Sequence, residues 1–491
     1  MQQPLDFQTP GERLWEWFEN RNYWLLVPAL PAFLGFAGVI TFAIYHFAWR
    51  PDKAEAACVE MGGRGMANGQ YQRAAIAYQS LLRLRGQTEA QYVFRIAQCF
   101  SELDRRPEAA AMMSVLAPPD QPGLTAAHLF LAGAILSAAG DTAHGLQLAE
   151  SHLQPVLRAE SQNADAHELM GRLLLQRRQW EEARKHLTEV VNSRPELTLA
   201  LATTFRQTGD ESSTRAWASR AEKHFSARCL ETLGDDTPYR LGWGRALALL
   251  RDFPASATVL ETGRERTGNA AYGPAIADVC ADWAVYLQQE QPTDRLTRLR
   301  ALQRGFIASI SQETLHRELI RVLRSKGAEN DAWRKAASEL LVEGREAQFY
   351  HLVLACLEWQ RGEPARAETH FKAAFAGPSA LTDMANNLAY HLAETAEGDK
   401  DLALTVMQAL LKRFPNSAAY RDTRGLVLLR QGKAEAAVED LDFAVRNLPD
   451  PTASHRALSE AYTKLGRAEL AAEHARLADA AAAAMQKRPR Q

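Results

Sequence analysis

Cysteine is scarce in this chain and unpatterned. Its five residues, Cys58, Cys99, Cys229, Cys280 and Cys356, are odd in number and far apart, and no two form a CxxC. That excludes a disulfide framework and a four-cysteine zinc site, and scattered thiols of this kind are expected to be buried. Charge of one sign is equally lacking: 57 Lys+Arg against 59 Asp+Glu leave a net charge of -2. A broad phosphate-binding face needs clustered positive charge, so nucleic acid is not an expected partner. Val/Ile runs are rare, whereas Ala and Leu, both strong helix formers, are abundant. An all-α chain is therefore expected.

Catalytic motifs are also missing. Met61-Gly62-Gly63-Arg64-Gly65-Met66-Ala67-Asn68-Gly69 is Gly-rich but lacks the Gly-Lys-Ser/Thr ending of a phosphate loop. His167-Glu168 has no second histidine at zincin spacing, and no Gly-x-Ser-x-Gly elbow occurs. His128, His144 and His152 fall on adjoining helical stretches without a Cys or carboxylate to complete a metal site. No catalytic residue, cofactor, metal or small-molecule substrate is expected.

The one long uncharged run is near the amino terminus. Residues 23–49 contain no Asp, Glu, Lys or Arg, with Tyr23 and Trp24 at one end and Tyr45 and Trp49 at the other. As a helix they would rise about 40 Å, more than the ~30 Å hydrocarbon core, with aromatic residues at both headgroup levels. Residues 1–22 form a leader in which Leu14, Trp15, Trp17 and Phe18 alternate with charges, the pattern of a short interfacial helix. Its four acidic residues, and the length of the apolar run, favour an uncleaved single-pass anchor over a signal peptide, although Ala54-Glu55-Ala56 resembles a cleavage site. Basic residues are nearly balanced across the segment. A short leader before a long C-terminal part resembles a signal anchor in the inner membrane, with the bulk of the chain outside the cytoplasm.

The rest of the sequence repeats. Gly362, Gly398, Gly432 and Gly466 are spaced 36, 34 and 34, and Ala367, Ala403, Ala437 and Ala471 follow each by five residues. Ala374, Leu410, Ala444 and Ala478 lie seven further on, and Pro415 and Pro449 close two units. A Gly turn, a small residue on the following helix and a terminating Pro describe two antiparallel helices that must stack on their neighbours to bury their apolar faces. Gly69/Ala74, Asp104/Ala109, Gly140/Gly145 and Gly209/Thr214 extend the five-residue offset upstream.

These residues resemble the tetratricopeptide repeat. Ala418–Pro451 places Gly425, Ala437, Ala444 and Pro449 in family positions, and Ala164–Leu197 does the same with Gly171, Leu174, Ala183, Leu187 and Pro195. The resemblance, closest to membrane-anchored bacterial members, implies a right-handed α-solenoid of about twelve hairpins after one transmembrane helix. It divides the chain into an N-terminal array (54–271), degenerate helical repeats (272–344), a C-terminal array (345–480) and a basic tail (481–491).

In that family the first helix of each unit lines a concave groove that takes peptides or partner helices. The matching positions here are Asp165, Glu168, Arg172, Asn386, Asn387, Asp422, Arg430, Arg456, Glu460 and Lys464. Asn387 falls where some relatives bond a peptide backbone; Leu169, Thr423 and Ala457 occupy that place elsewhere, so there is no asparagine ladder. The implied role is a membrane-anchored scaffold that binds proteins without chemistry of its own. The alternatives are an envelope-assembly or secretion accessory subunit, and an enzyme subunit whose site lies within 272–344.

Overall fold

In a computed structural model, the described residues are 15, 19, 30–48, 51–85, 89–138, 142–344, 347–376, 380–396 and 398–486. Among them the chain is all-helical, with no strand, as the composition requires. The chain forms two compact units, Met1–Val190 and Val191–Gln491.

Each unit is built of antiparallel helix pairs. In the first, Pro51–Ala67 pairs with Tyr71–Arg85, Ala90–Glu102 with Arg106–Leu116, Thr125–Ala138 with Ala143–Ala159, and Ala164–Gln176 with Trp180–Val190. Its core passes from pair to pair: Tyr78, Leu81 and Ile96 pack together, then Ala97, Met113 and Leu131, then Leu146, Leu153, Met170 and Leu173. No pair closes its own core, which is why the units must stack. The second unit continues the plan, from Thr198–Gln207 with Glu211–Glu231 to Thr452–Lys464 with Ala468–Gln486.

The turn inside a pair has a fixed conformation. Gly69, Asp104, Arg178, Gly209, Arg251, Gly362, Gly432 and Gly466 all adopt positive φ, between 58° and 80°. Each is followed five residues later by a buried small side chain: Ala74, Ala109, Ala183, Thr214, Ser256, Ala367, Ala437 and Ala471. At Gly432 the turn is closed by Gly432 N donating to Leu429 O and Lys433 N to Leu428 O, which satisfies the last carbonyls of the first helix. The ladder therefore includes Arg178 and Arg251, which no glycine marks. The helices also approach closely: a Cβ on Gly425 would lie 2.7 Å from Leu441 Cγ, and one on Gly171 2.7 Å from Leu187 Cδ2.

The middle of the second unit buries charged and polar groups as well as apolar ones. Helix Glu313–Leu323 buries Leu315, His316, Glu318, Leu319 and Ile320 and reaches past its sequence neighbours to helix Ala380–Glu394. There the His316 and His391 rings lie against each other at 4.6 Å between centroids. Glu318, 1% exposed, accepts from Arg298 Nη2 at 2.7 Å and is also met by Arg321. The Arg295 and Arg298 guanidinium groups lie over the Trp333 ring at 5.5 and 5.4 Å.

The amino terminus departs from expectation. Among the described residues the uncharged segment is helical over the nineteen residues Leu30–Ala48. Such a helix rises about 28 Å, short of the ~30 Å hydrocarbon core. Among the described residues no helix is long and apolar enough to cross a membrane, so the expected transmembrane helix is not supported as drawn. Residues 23–29 and 49 lie outside the described residues, as do most of the leader and residues 487–491 of the basic tail. Within the leader, Trp15 Nε1 donates to Glu19 Oε1 at 3.0 Å, the i,i+4 contact of a helix.

Four of the five cysteines are buried and all are free thiols, as their spacing implied. Burial pushes the Cys280 thiol up to about 12 and Cys356 up as well, so neither is a nucleophile at neutral pH.

Candidate protein-binding surface

The first helix of a pair is set by its N-cap. Asn163 Oδ1 accepts from Ala166 N at 3.0 Å and starts Ala164–Gln176, and Ser417 Oγ caps Ala418–Arg430 through Tyr420 N. Once started, each helix buries one stripe and presents another outward.

On Ala164–Gln176 the outward stripe carries exposed Asp165 and Arg172, with Glu168 ion-paired to Arg172 one turn on. In the last three pairs the candidate residues join across repeats. Arg430 donates from Nε to Glu394 at 2.7 Å and from Nη1 to both oxygens of Glu460 at 2.9 Å. Lys464 Nζ lies 3.0 Å from Glu460. The row Glu394, Arg430, Glu460, Lys464 thus ties together the ends of three successive first helices. Burial raises the Glu460 carboxyl, but Arg430 and Lys464 outweigh it and hold the group below the usual range. Sequence reasoning found three members of this row and missed Glu394, the last residue of its helix.

Asp422 is half-buried and receives the Ser454 hydroxyl at 2.5 Å, joining neighbouring repeats; burial pushes its carboxyl upward. Arg456 is exposed. Asn386 is half-buried, with its Oδ1 enclosed and lacking a hydrogen-bond partner. Asn387 is a different case from the one its family position suggested. Its Nδ2 donates to the Ile310 carbonyl at 3.2 Å, so the amide that would hold a peptide backbone holds the protein's own.

Two features escaped the sequence reading. One is a cavity of about 460 Å³ between the second helices Pro364–Ala374 and Lys400–Arg413, floored by Ala367, Phe371 and Phe375 and bordered by Lys372, Lys412 and Arg413. It lies on the second helices, which the groove argument does not cover. The other is a set of histidine pairs: His167 with His186, His351 with His370, and His455 with His474, each with Nδ1 atoms 2.9–3.0 Å apart. Their constant separation of 19 residues was visible in the sequence. It links two helices rather than one helical face, so a search by helical periodicity passes over it.

A family model described as tetratricopeptide repeat matches residues 141–198, 352–418 and 423–485. Similar solved structures include Naa15/Naa10 bound to HypK-THB, at 15% identity over 86% of this chain and 67% of that one, with a TM-score of 0.31. The APC/C hetero-tetramer Cut9–Hcn1 shows 13% identity over 87% and 93%, with a TM-score of 0.29. The human IFIT1 dimer with m7Gppp-AAAA shows 13% identity over 88% and 95%, with a TM-score of 0.33. No curated protein matches. The three matched regions share the register of the left-handed turns and buried small residues described above, and over these regions the chain is built of tetratricopeptide repeats.

Proposed function

We propose that this chain is a scaffold that binds partner proteins along the first helices of its repeats and is held at a membrane by its uncharged amino-terminal segment. The observation that carries the binding role is the arrangement of polar side chains on first helices: in the second unit exposed Arg456 shares a helix with Glu460, whose ion pair with Arg430 joins neighbouring repeats, and in the first unit Asp165 and Arg172 are exposed on one first helix. Rigid presentation of this kind lowers the ordering cost of association. In this reading the chain supplies position and not catalysis.

The membrane role is supported by helix Leu30–Ala48. Phe33, Leu34, Phe36, Val39 and Phe42 are each at least 65% exposed, on all sides of the helix. A helix that is apolar all round requires an apolar surrounding. A span over 23–49, with the repeats outside the cytoplasm, supplies one.

Site-specific photocrosslinking tests the binding role, with the crosslinker at Asp165, Arg172 or Arg456 in one set and on the second helices, at Lys185 or Glu473, in another. Adducts confined to the first set support the reading; equal labelling from both sets overturns it. Carbonate extraction and protease protection of intact and permeabilised cells test the anchor. Release of the chain by carbonate would remove the membrane from the proposal.

A further inference from the structure

Among the described residues ten histidines stand in pairs. Three pairs are equivalent by register. His167, His351 and His455 each lie sixteen residues before the buried alanine of their repeat, Ala183, Ala367 and Ala471, and His186, His370 and His474 lie three after it. Each pair joins the first helix of a hairpin to the second, Nδ1 to Nδ1, at 2.9, 2.9 and 3.0 Å. Elsewhere in the ladder the same two positions carry Val93 with Met112, and Leu129 with Leu148. The site therefore tolerates apolar contact, and a titratable pair is not needed for the fold.

Two neutral imidazoles at this distance share one hydrogen, with one Nδ1 donating and the other accepting. In the first pair the roles are fixed. His167 Nε2 faces the Ser161 carbonyl at 2.9 Å, so it carries a hydrogen and leaves Nδ1 as a lone pair; His186 Nδ1 must then donate. A first added proton enters at His186 Nε2 and keeps this bond. A second has only His167 Nδ1 to occupy, which sets two N–H donors and two positive rings face to face. The pair therefore titrates as a unit in two steps.

We propose that these three pairs are acid-labile closures: the second proton taken up by a pair separates its two helices, and the hairpins loosen at three equivalent places as pH falls. Few charges oppose this. Lys185 and Glu189 face His186, Arg334 and Glu358 face His370, and His474 has the Tyr462 ring stacked at 5.4 Å. Burial, and then the partner ring, hold His186, His370 and His455 below the ordinary histidine range, and burial does so for His351. A lowered folded value means the unfolded chain binds more protons below about pH 6.5, so stability is complete above that pH and lost beneath it.

The test uses the full chain in detergent micelles and the triple variant His186→Asn, His370→Asn, His474→Asn. The Asn amide can donate from near the Nδ1 position without titrating. Thermal midpoints are compared at about pH 7.5 and about pH 5. The wild type is expected to lose midpoint in acid, and the variant to lose half of that or less. Long-range 1H–15N imidazole spectra are expected to show each pair titrating in two steps, one of them below the ordinary value. Equal acid losses in the two proteins, or single-step titration near about 6.5, would overturn the proposal. Should the Asn variant fail to fold at neutral pH, Leu at all six positions, as at Leu129 and Leu148, takes its place in the same comparison.

Discussion

Asn387 Nδ2 donates to the Ile310 carbonyl across 77 residues of sequence, at 3.2 Å. This bond ties the loop before helix Glu313–Leu323 to helix Ala380–Glu394, alongside the His316 and His391 rings, which meet at a tilt of 30°. Asn387→Ala leaves the carbonyl without that donor and is expected to cost about 1 kcal/mol. Hydrogen exchange should accelerate over 309–316 and 384–391 in particular. Unchanged exchange there would show that the contact does not hold the loop.

The buried pair Arg298–Glu318 gives a larger effect. Both side chains are under 9% exposed. Arg298→Met leaves Glu318 with only the half-exposed Arg321 and is expected to cost about 3 kcal/mol or more in a urea melt. Replacing both partners with apolar residues should cost distinctly less than Arg298→Met alone, because no charge is then stranded. A double variant as unstable as the single one would mean that packing, not charge, dominates.

Gly425→Ala tests the close approach of the two helices. The added Cβ would meet Leu441 Cγ at 2.7 Å and Ala437 O at 3.2 Å. Overpacking of this kind costs about 1–3 kcal/mol, although Ala is the better helix former. A neutral or stabilising result would show that Leu441 can move aside.

Arg430 separates structure from binding. Its ion pairs with Glu394 and Glu460 are 28–40% exposed, so Arg430→Ala should cost only about 0–1 kcal/mol of stability. Partner capture is expected to fall well beyond that, because Arg430, Glu460 and Lys464 form one continuous face. Equal loss of stability and capture would assign the residue to the fold alone.

His316 has a pH effect of its own. Burial lowers it to about 4, opposed by its bond to the Ile310 carbonyl, with His391 lowering it further. Its folded value lies below its unfolded value of about 6.5, so the neutral ring stabilises fully above that pH and progressively less below it. The loss approaches roughly 3 kcal/mol beneath pH 4. This contribution should persist in the triple Asn variant and be removed by His316→Gln, as equilibrium unfolding against pH would show.

Much of this was legible before the structure. Of the four rungs Gly362, Gly398, Gly432 and Gly466, three marked their turns because these need left-handed backbone and glycine meets that need most cheaply, whereas Gly398 does not take that conformation. Arg178 and Arg251 take the same conformation with a Cβ, so the turn they form has no compositional mark. Arg430, Glu460 and Lys464 were found because their helical positions dictate their direction. Asn387 was misread because its direction is right but its acceptor lies two repeats earlier, a contact that local spacing cannot encode. The amino-terminal segment was read from its lack of charge and its aromatic ends, and residues 23–29 and 49 of it lie outside the described residues.

The turns at Arg178 and Arg251 have one more implication. Each holds a side chain in a backbone region that favours glycine, so each stores a small conformational cost that the adjoining helices offset. What recurs along this chain is therefore a torsion angle followed by a small buried residue, and the letter at the turn is free to drift. A repeat can lose its recognisable spelling while keeping its shape, and counting glycines undercounts the hairpins.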